Sequence, residues 1–262
     1  MSELRAAARH RGDRKADAAL SDLKAALIYT ECLLPFPDRS SMPRFALLVA
    51  AAFVLPYALA APPAAVDPAL THARVLLKST ILLDGHNDLP WEIREDAKAP
   101  MDVEAYDLRK RTSGETDLAR LKQGLLRAQF WSVYVPGEIK DGYAKTQLEQ
   151  IDIVRRMIAR YPDALELALS SADIRRISAK GKVASLLGME GGHALENSLG
   201  ALRAYYALGV RYMTLTHNVT LDWVDAALDE PKHHGLTPFG KEVVREMNRL
   251  GMMVDIYSGS RI

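Results

Sequence analysis

Cysteine is almost missing from this chain: Cys32 is the only one among 262 residues. No intramolecular disulfide can form, and no thiolate cluster can hold a metal. Any metal site must therefore rest on His, Asp and Glu. An excess of one charge is missing too, with 34 basic residues against 33 acidic ones. Such a balance projects no overall field toward nucleic acid or anionic lipid, so neither is expected as a partner. Low-complexity tracts and internal repeats are absent. What remains is a chain that is 48% hydrophobic, able to bury one sizeable core or two small ones.

The apolar stretch Phe45 to Leu59 is short for a membrane span, which needs ~20 residues, and carries Pro56 near its end. It follows Met42-Pro43-Arg44 and runs into Ala58-Leu59-Ala60. A basic start, an apolar stretch and a small-x-small site mark a secretory signal peptide. Residues 42–60 are read as that signal, and residues 1–41 as a non-native upstream extension with Met42 the true initiator. The competing reading is an internal membrane anchor behind a short basic cytoplasmic tail. Cys32 does not follow the small-residue site, which argues against a lipoprotein anchor. The export reading places the mature protein in a periplasm or outside the cell. Residues 61–78 are then a flexible mature N-terminus, and residues 79–262 the folded part.

Five short apolar runs read as strands: Thr80–Leu83, Gln129–Val135, Val183–Gly188, Arg211–Leu215 and Met252–Ile256. Helical patterns lie between them. Leu148, Ile151, Val154 and Ile158 share one face of a helix over Tyr143–Arg160, and Leu199, Leu202, Tyr206 and Leu208 share another. A third helix starts with Thr237 as N-cap and Pro238 at its first position. It buries Val243, Val244, Met247 and Leu250 and stops at Gly251. Strand–helix alternation implies a parallel sheet flanked by helices, an α/β fold. Five units are too few for a closed eight-stranded barrel of ~250 residues. The polar residues of interest follow strand C-terminal ends, where barrel active sites assemble. That favours a partial (β/α)8 barrel over an open sheet.

Three segments could carry chemistry. His86 and Asp88 flank Asn87 after the first strand; alternate residues on an extended segment point the same way, so both could grip one ion. Alone, the pair reads equally as a capping Asp beside a surface His. Glu190 leaves an apolar strand into Gly191-Gly192-His193, a costly place for a carboxylate unless it is paired or binds a cation. It could bridge two ions, or be a salt-bridged Glu at a tight turn. His193 reads as structural. His217, ending the fourth strand, could hold a substrate carbonyl or its developing oxyanion, or be a satisfied half-buried His. His233 and His234 sit beside Pro231 in a polar loop and read as solvated.

Taken together, these segments resemble the membrane (renal) dipeptidase family, zinc peptidases on a (β/α)8 barrel. The resemblance runs from about Leu83 to Ile256. It rests on Asp84-Gly85-His86-Asn87-Asp88-Leu89-Pro90, Gln129-Phe130-Trp131-Ser132-Val133-Tyr134 and Glu190-Gly191-Gly192-His193. It continues through Leu215-Thr216-His217-Asn218, Trp223-Val224-Asp225 and Gly235-Leu236-Thr237-Pro238-Phe239-Gly240. The resemblance implies a two-zinc site in which His86 and Asp88 hold the first Zn2+ and Glu190 bridges both. It implies that His217 contacts substrate and the tetrahedral intermediate. Dipeptides are the implied substrates, and a homodimer is a candidate assembly. A different amidohydrolase would carry His-x-His after its first strand, where this chain has Asp88.

The agreement stops at Val254-Asp255-Ile256. The family continues there with a Ser-His pair whose histidine ligates the second zinc; here Tyr257, Ser258, Gly259, Ser260, Arg261 and Ile262 follow. The chain is therefore expected to be a C-terminally truncated member that binds one zinc at most. Met252, Val254 and Ile256 should sit on an exposed strand edge, an aggregation hazard. Poor solubility and little or no peptidase activity follow as expectations, with an inactive remnant or pseudoenzyme as the alternative to an active enzyme.

Overall fold

The computed structural model describes residues 67–139 and 142–256. The upstream extension and the signal peptide read at residues 1–60, and the divergent tail after Ile256, lie outside the described residues. Apolar runs too short for helices form six strands: β1 (Leu82–Asn87), β2 (Leu126–Tyr134), β3 (Leu165–Leu167), β4 (Val183–Glu190), β5 (Val210–Thr214) and β6 (Met253–Asp255). Every pairing is parallel, in the order β1-β2-β4-β5-β6, with β3 beside the start of β4. Among the described residues the sheet does not close. It is an α/β partial barrel with β1 and β6 at its ends.

The helices are α1 (Pro68–Ser79), α2 (Leu89–Arg94), α3 (Leu118–Gln123), α4 (Tyr143–Arg160), α5 (Ser171–Ala179), α6 (Leu199–Leu208) and α7 (Pro238–Leu250). Side-chain caps open five of them. Asp67, Asp117, Ser170, Ser198 and Thr237 each accept a backbone N–H of the first turn, a bond whose loss typically costs ~1 kcal/mol. α7 matches its expected limits, with Gly251 closing it in the left-handed conformation at φ 79°.

Period-2 alternation divides the sheet into two faces. Trp131, Val133, Leu187, Met189, Met213 and Leu215 point outward and belong to the main core with Ile151, Val154, Met157, Leu202, Val243 and Met247 from the helices. Full burial of side chains of this size stabilises by ~1.5–3 kcal/mol each. The alternate residues Ala128, Phe130, Ala184, Leu186 and Tyr212 point to the concave face, where Ile177 of α5 packs against them. Because Ala128 and Ala184 lie early in their strands, α5 covers the N-terminal end of that face. The C-terminal end stays open and carries the site.

Several expectations need correction. Residues 61–78 are not wholly a structureless leader, because Pro68–Ser79 is helical, although α1 buries none of its residues. β3 was not expected; three residues are too few for a periodic signal, and its central Glu166 faces Arg176, Lys180 and Lys182. Leu148 is 47% exposed; the buried stripe of α4 instead runs through Gln147, Gln150, Ile151, Val154 and Ile158. β1 reaches Asn87 rather than ending at Leu83. At the last strand Met252 is buried and Val254 half-buried, while Met253 and Ile256 are exposed, so of the three residues expected on the edge only Ile256 is fully exposed.

Candidate metal centre

β1 carries His86 to the C-terminal rim of the concave face. Asp88 is not on the extended segment: it occupies the N-cap position of α2 with φ −86° and ψ 15°. Its carboxylate nevertheless caps nothing. Asn87 takes the local role, its Oδ1 accepting the Leu89 N–H at 3.0 Å while its Nδ2 donates to Thr116 Oγ1 at 3.0 Å. Asp88 is thereby left to turn toward His86, with Oδ1 3.1 Å from Nε2. The reading of Asp88 as an ordinary capping residue fails on this bond.

Glu190 ends β4, paired in register with Tyr134 at the end of β2. Gly191 follows at φ 105° with the His193 ring packed where a Cβ would stand, so a side chain here would be strained and blocked at once. This turn stops the strand and leaves the Glu190 carboxylate facing inward, with a side-chain exposure of 14% against 40% for His86 and 57% for Asp88. A carboxylate so enclosed needs partners. Oε2 lies 3.3 Å from His86 Nε2 and accepts from Ser132 Oγ at 3.2 Å. Oε1 lies 3.2 Å from His217 Nδ1, without the geometry of a hydrogen bond.

The four predicted site residues thus meet at one rim. His86, Asp88 and Glu190 each turn one ligand atom inward, and the three atoms lie within 4.8 Å of one another. One imidazole nitrogen and two carboxylate oxygens are a donor set that suits a divalent cation such as zinc. His217 stands beside the trio on the far oxygen of Glu190. Its ring meets Tyr134 edge-on at 5.6 Å, and Tyr134 meets Trp91 at 5.1 Å, so three rings wall one side of the site. Below it, a cleft of about 860 Å³ runs down the concave face between Phe130, Leu186 and Val254.

The electrostatics describe the same trap for positive charge. Hydrogen bonding to Asp88, then to Glu190, pushes the His86 imidazole up to about 10 against the opposition of burial. Asp88 is held below the usual carboxylate range, first by its bond to His86. A protonated His86 therefore supplies the positive charge that two carboxylates demand. Burial pushes the Tyr212 phenol above its usual range, so it stays neutral beside them.

Among the described residues, His193, His233 and His234 do not join. His193 Nε2 donates to the Val135 carbonyl at 2.8 Å and its ring packs against Tyr143; burial lowers its pKa. It is structural, as read. His233 is half-buried rather than fully solvated, its Nε2 donating to the Leu221 carbonyl at 3.0 Å, while His234 is exposed. Asp225, within one of the quoted motifs, is also structural: its carboxylate accepts the N–H groups of Lys232, His233 and Gly235 and knits the loop after β5. Sequence reasoning assigned no role to Ser132 or Tyr212. Both sit on the concave-facing phase of strands whose other phase is apolar, and that phase is the signal that could have found them.

Comparison with known proteins agrees with this architecture. The family model for membrane dipeptidases, peptidase family M19, matches residues 70–261. Mouse dipeptidase 3 is 45% identical over 202 residues, covering 74% of this chain and 40% of its own length. The chain thus spans less than half of that relative. The crystal structure of a probable dipeptidase from Pseudomonas aeruginosa superposes with a TM-score of 0.63 at 24% identity, over 74% of this chain and 51% of that one. A metallopeptidase from Rhodobacter sphaeroides, solved with a phosphinate mimic of the dipeptide L-Ala-D-Ala, superposes with a TM-score of 0.58 at 24% identity, over 67% of this chain and 57% of that one. At such identities the two structures speak for the fold alone, and the family rests on the matched residues. The chain belongs to the membrane dipeptidase family.

Proposed function

We propose that this chain carries the zinc-binding part of a dipeptidase active site and serves the hydrolysis of dipeptides. The observation that carries the reading is the convergence of His86, Asp88 and Glu190 ligand atoms at the C-terminal rim of a parallel sheet. The family match over residues 70–261 and the 45% identity to mouse dipeptidase 3 support the substrate class. His86, Asp88 and Glu190 would hold a Zn2+ ion, which supplies Lewis acidity toward a carbonyl and acidifies water. Ser132 orients Glu190 by donating to its Oε2. His217 lies where a donor could face a substrate carbonyl at the rim, beside the Trp91–Tyr134 ring pair. The apolar run before residue 60 supports export, which would place the mature protein in a periplasm or outside the cell.

A second reading is a remnant or pseudoenzyme that binds one ion without turnover. It is favoured by the environment of Glu190 Oε1, which faces His217 rather than further ligands among the described residues. Elemental analysis with a dipeptide hydrolysis assay separates the two. Two zinc ions per chain with turnover support the dipeptidase, whereas one ion without turnover supports the second reading. A folded chain that takes up no divalent ion sinks both.

A further inference from the structure

We infer that Tyr212 is a positioning residue that reaches across the concave face to hold His86 by Nδ1, so that Nε2 is the nitrogen presented to a metal. The inference rests on the proposed metal reading and extends it to a residue outside the ligand set.

Tyr212 lies on β5 opposite Gly188 of β4 in the sheet register. A Cβ built at Gly188 would fall 2.0 Å from Tyr212 Cζ and 2.4 Å from its Oη. The ring therefore lies directly over the Gly188 backbone, and no larger residue leaves it that path. Continuing across, the ring packs beside Phe130 of β2, with centroids 5.0 Å apart. Its Oη ends 3.0 Å from His86 Nδ1 on β1. One side chain thus spans from the fourth strand of the β1-β2-β4-β5 path to the first. Tyr212 is only 7% exposed, so packing fixes its ring and little freedom remains for the hydroxyl position.

The chemical consequence concerns the two imidazole nitrogens. His86 Nε2 is the atom that faces Asp88 and Glu190. To ligate through Nε2 the ring must carry its proton on Nδ1, and the hydrogen bond at the second nitrogen decides which tautomer and ring orientation are held. Nδ1–H donating to Tyr212 Oη meets that need. Removal of such an outer partner typically costs ~10–100-fold in metal affinity.

The test compares the full chain with Tyr212→Phe, which keeps the ring over Gly188 and deletes only the hydroxyl. Zinc affinity is measured by competition with a chromophoric chelator, and the His86 Nδ1–H proton is followed by NMR in the zinc-loaded chain. The expected result is ~10–100-fold weaker zinc binding in the variant, with the Nδ1–H signal exchanging too fast to observe. Gly188→Ala, which displaces the ring but keeps the hydroxyl, should weaken zinc as well. Equal zinc affinity in Tyr212→Phe and the unsubstituted chain would overturn the role of Tyr212 and leave the metal reading standing. A folded unsubstituted chain that binds no zinc would overturn both. Should the variants fail to fold, the unsubstituted zinc-loaded chain still decides: a nuclear Overhauser contact between His86 Nδ1–H and the Tyr212 ring supports the brace, and its absence overturns it.

Discussion

The two faces of the sheet are built from the same strands and do opposite work. On the outer face Trp131, Val133, Leu187, Met189, Met213 and Leu215 are all buried against helices, a dry interface that stabilises without chemistry. On the concave face the alternate positions Ser132, Gly188, Glu190, Tyr212 and Thr214 turn polar toward the strand C-termini. There two carboxylates, two imidazoles, a hydroxyl and a phenol converge. The outer phase thus stabilises along its whole length, while the concave phase is apolar under α5 at its N-terminal end and sets binding at its C-terminal end. The division can be broken hardest on the outer face. Trp131→Ala should cost ~3–5 kcal/mol of stability in urea unfolding, as for other buried aromatics. The folded fraction should keep its zinc affinity, because the Trp131 side chain belongs to the outer core and not to the ligand cluster. Loss of zinc binding by a still-folded Trp131→Ala chain would show that the faces are coupled and the division false.

The converse substitution lies on the concave face. Glu190→Gln preserves shape and removes the charge that His86 and a metal share. Zinc affinity should fall by more than the ~10–100-fold expected for an outer-shell partner, while the urea midpoint of the metal-free chain moves far less than in Trp131→Ala. Unaltered zinc uptake by this variant would remove the carboxylate from the site.

Next in size is a pH effect that belongs to the concave face alone. His86 is raised to about 10 by Asp88 and Glu190, so its proton must leave before Nε2 can ligate. Apparent zinc affinity should rise with pH by ~10-fold per unit below about 10, measured in non-coordinating buffer. Without metal the sign reverses. A pKa raised on folding stabilises fully below the unfolded value of 6.5, and that contribution disappears as pH climbs through about 10. The lowered Asp88 contributes above its ordinary carboxylate range and loses its part as pH falls beneath it. The metal-free chain should thus weaken between pH 6.5 and 10, and His86→Gln should flatten that slope. A flat slope in the unsubstituted chain would contradict the ion pair.

The outer face was the more legible of the two. The limits of α4 and both caps of α7 follow from spacing, Pro238 and Gly251, because helix signals are local and repeat every turn. Leu148 misled because any helix pattern fits several adjacent stripes, and only the packing partners choose among them. The buried Gln147 illustrates the choice: its Nε2 donates to the Val133 carbonyl at 3.0 Å, a contact that no hydrophobic count anticipates. At the site, His86, Asp88, Glu190 and His217 were legible because polar residues at the ends of apolar strands stand out. Ser132 and Tyr212 were not, since each acts on a residue 58 or 126 positions away in sequence. Asp88 shows a third case, where the structure brings the residue beside His86 by a route other than the expected one. Its reach toward His86 comes from a helix start whose capping is done by Asn87, not from strand alternation.

The finest probe of the two-face division is Ser132. It is fully buried like Trp131, its immediate neighbour in β2, yet it points the opposite way. Its hydroxyl donates one bond to Glu190 Oε2, the same oxygen that lies 3.3 Å from His86 Nε2. Ser132→Ala deletes that bond and no packing volume beyond one oxygen. Stability should fall by ~0.5–1.5 kcal/mol, the net value of one hydrogen bond. Zinc affinity should fall by less than ~10-fold, because Glu190 keeps its position through the strand end and the Gly191 turn. Adjacent residues of one strand would then differ severalfold in their effect on stability, with only the orientation of the side chain to separate them. A Ser132→Ala chain as unstable as Trp131→Ala would mean that the C-terminal end of the concave face is itself a structural core, and that its polar groups hold the sheet together rather than wait for a ligand.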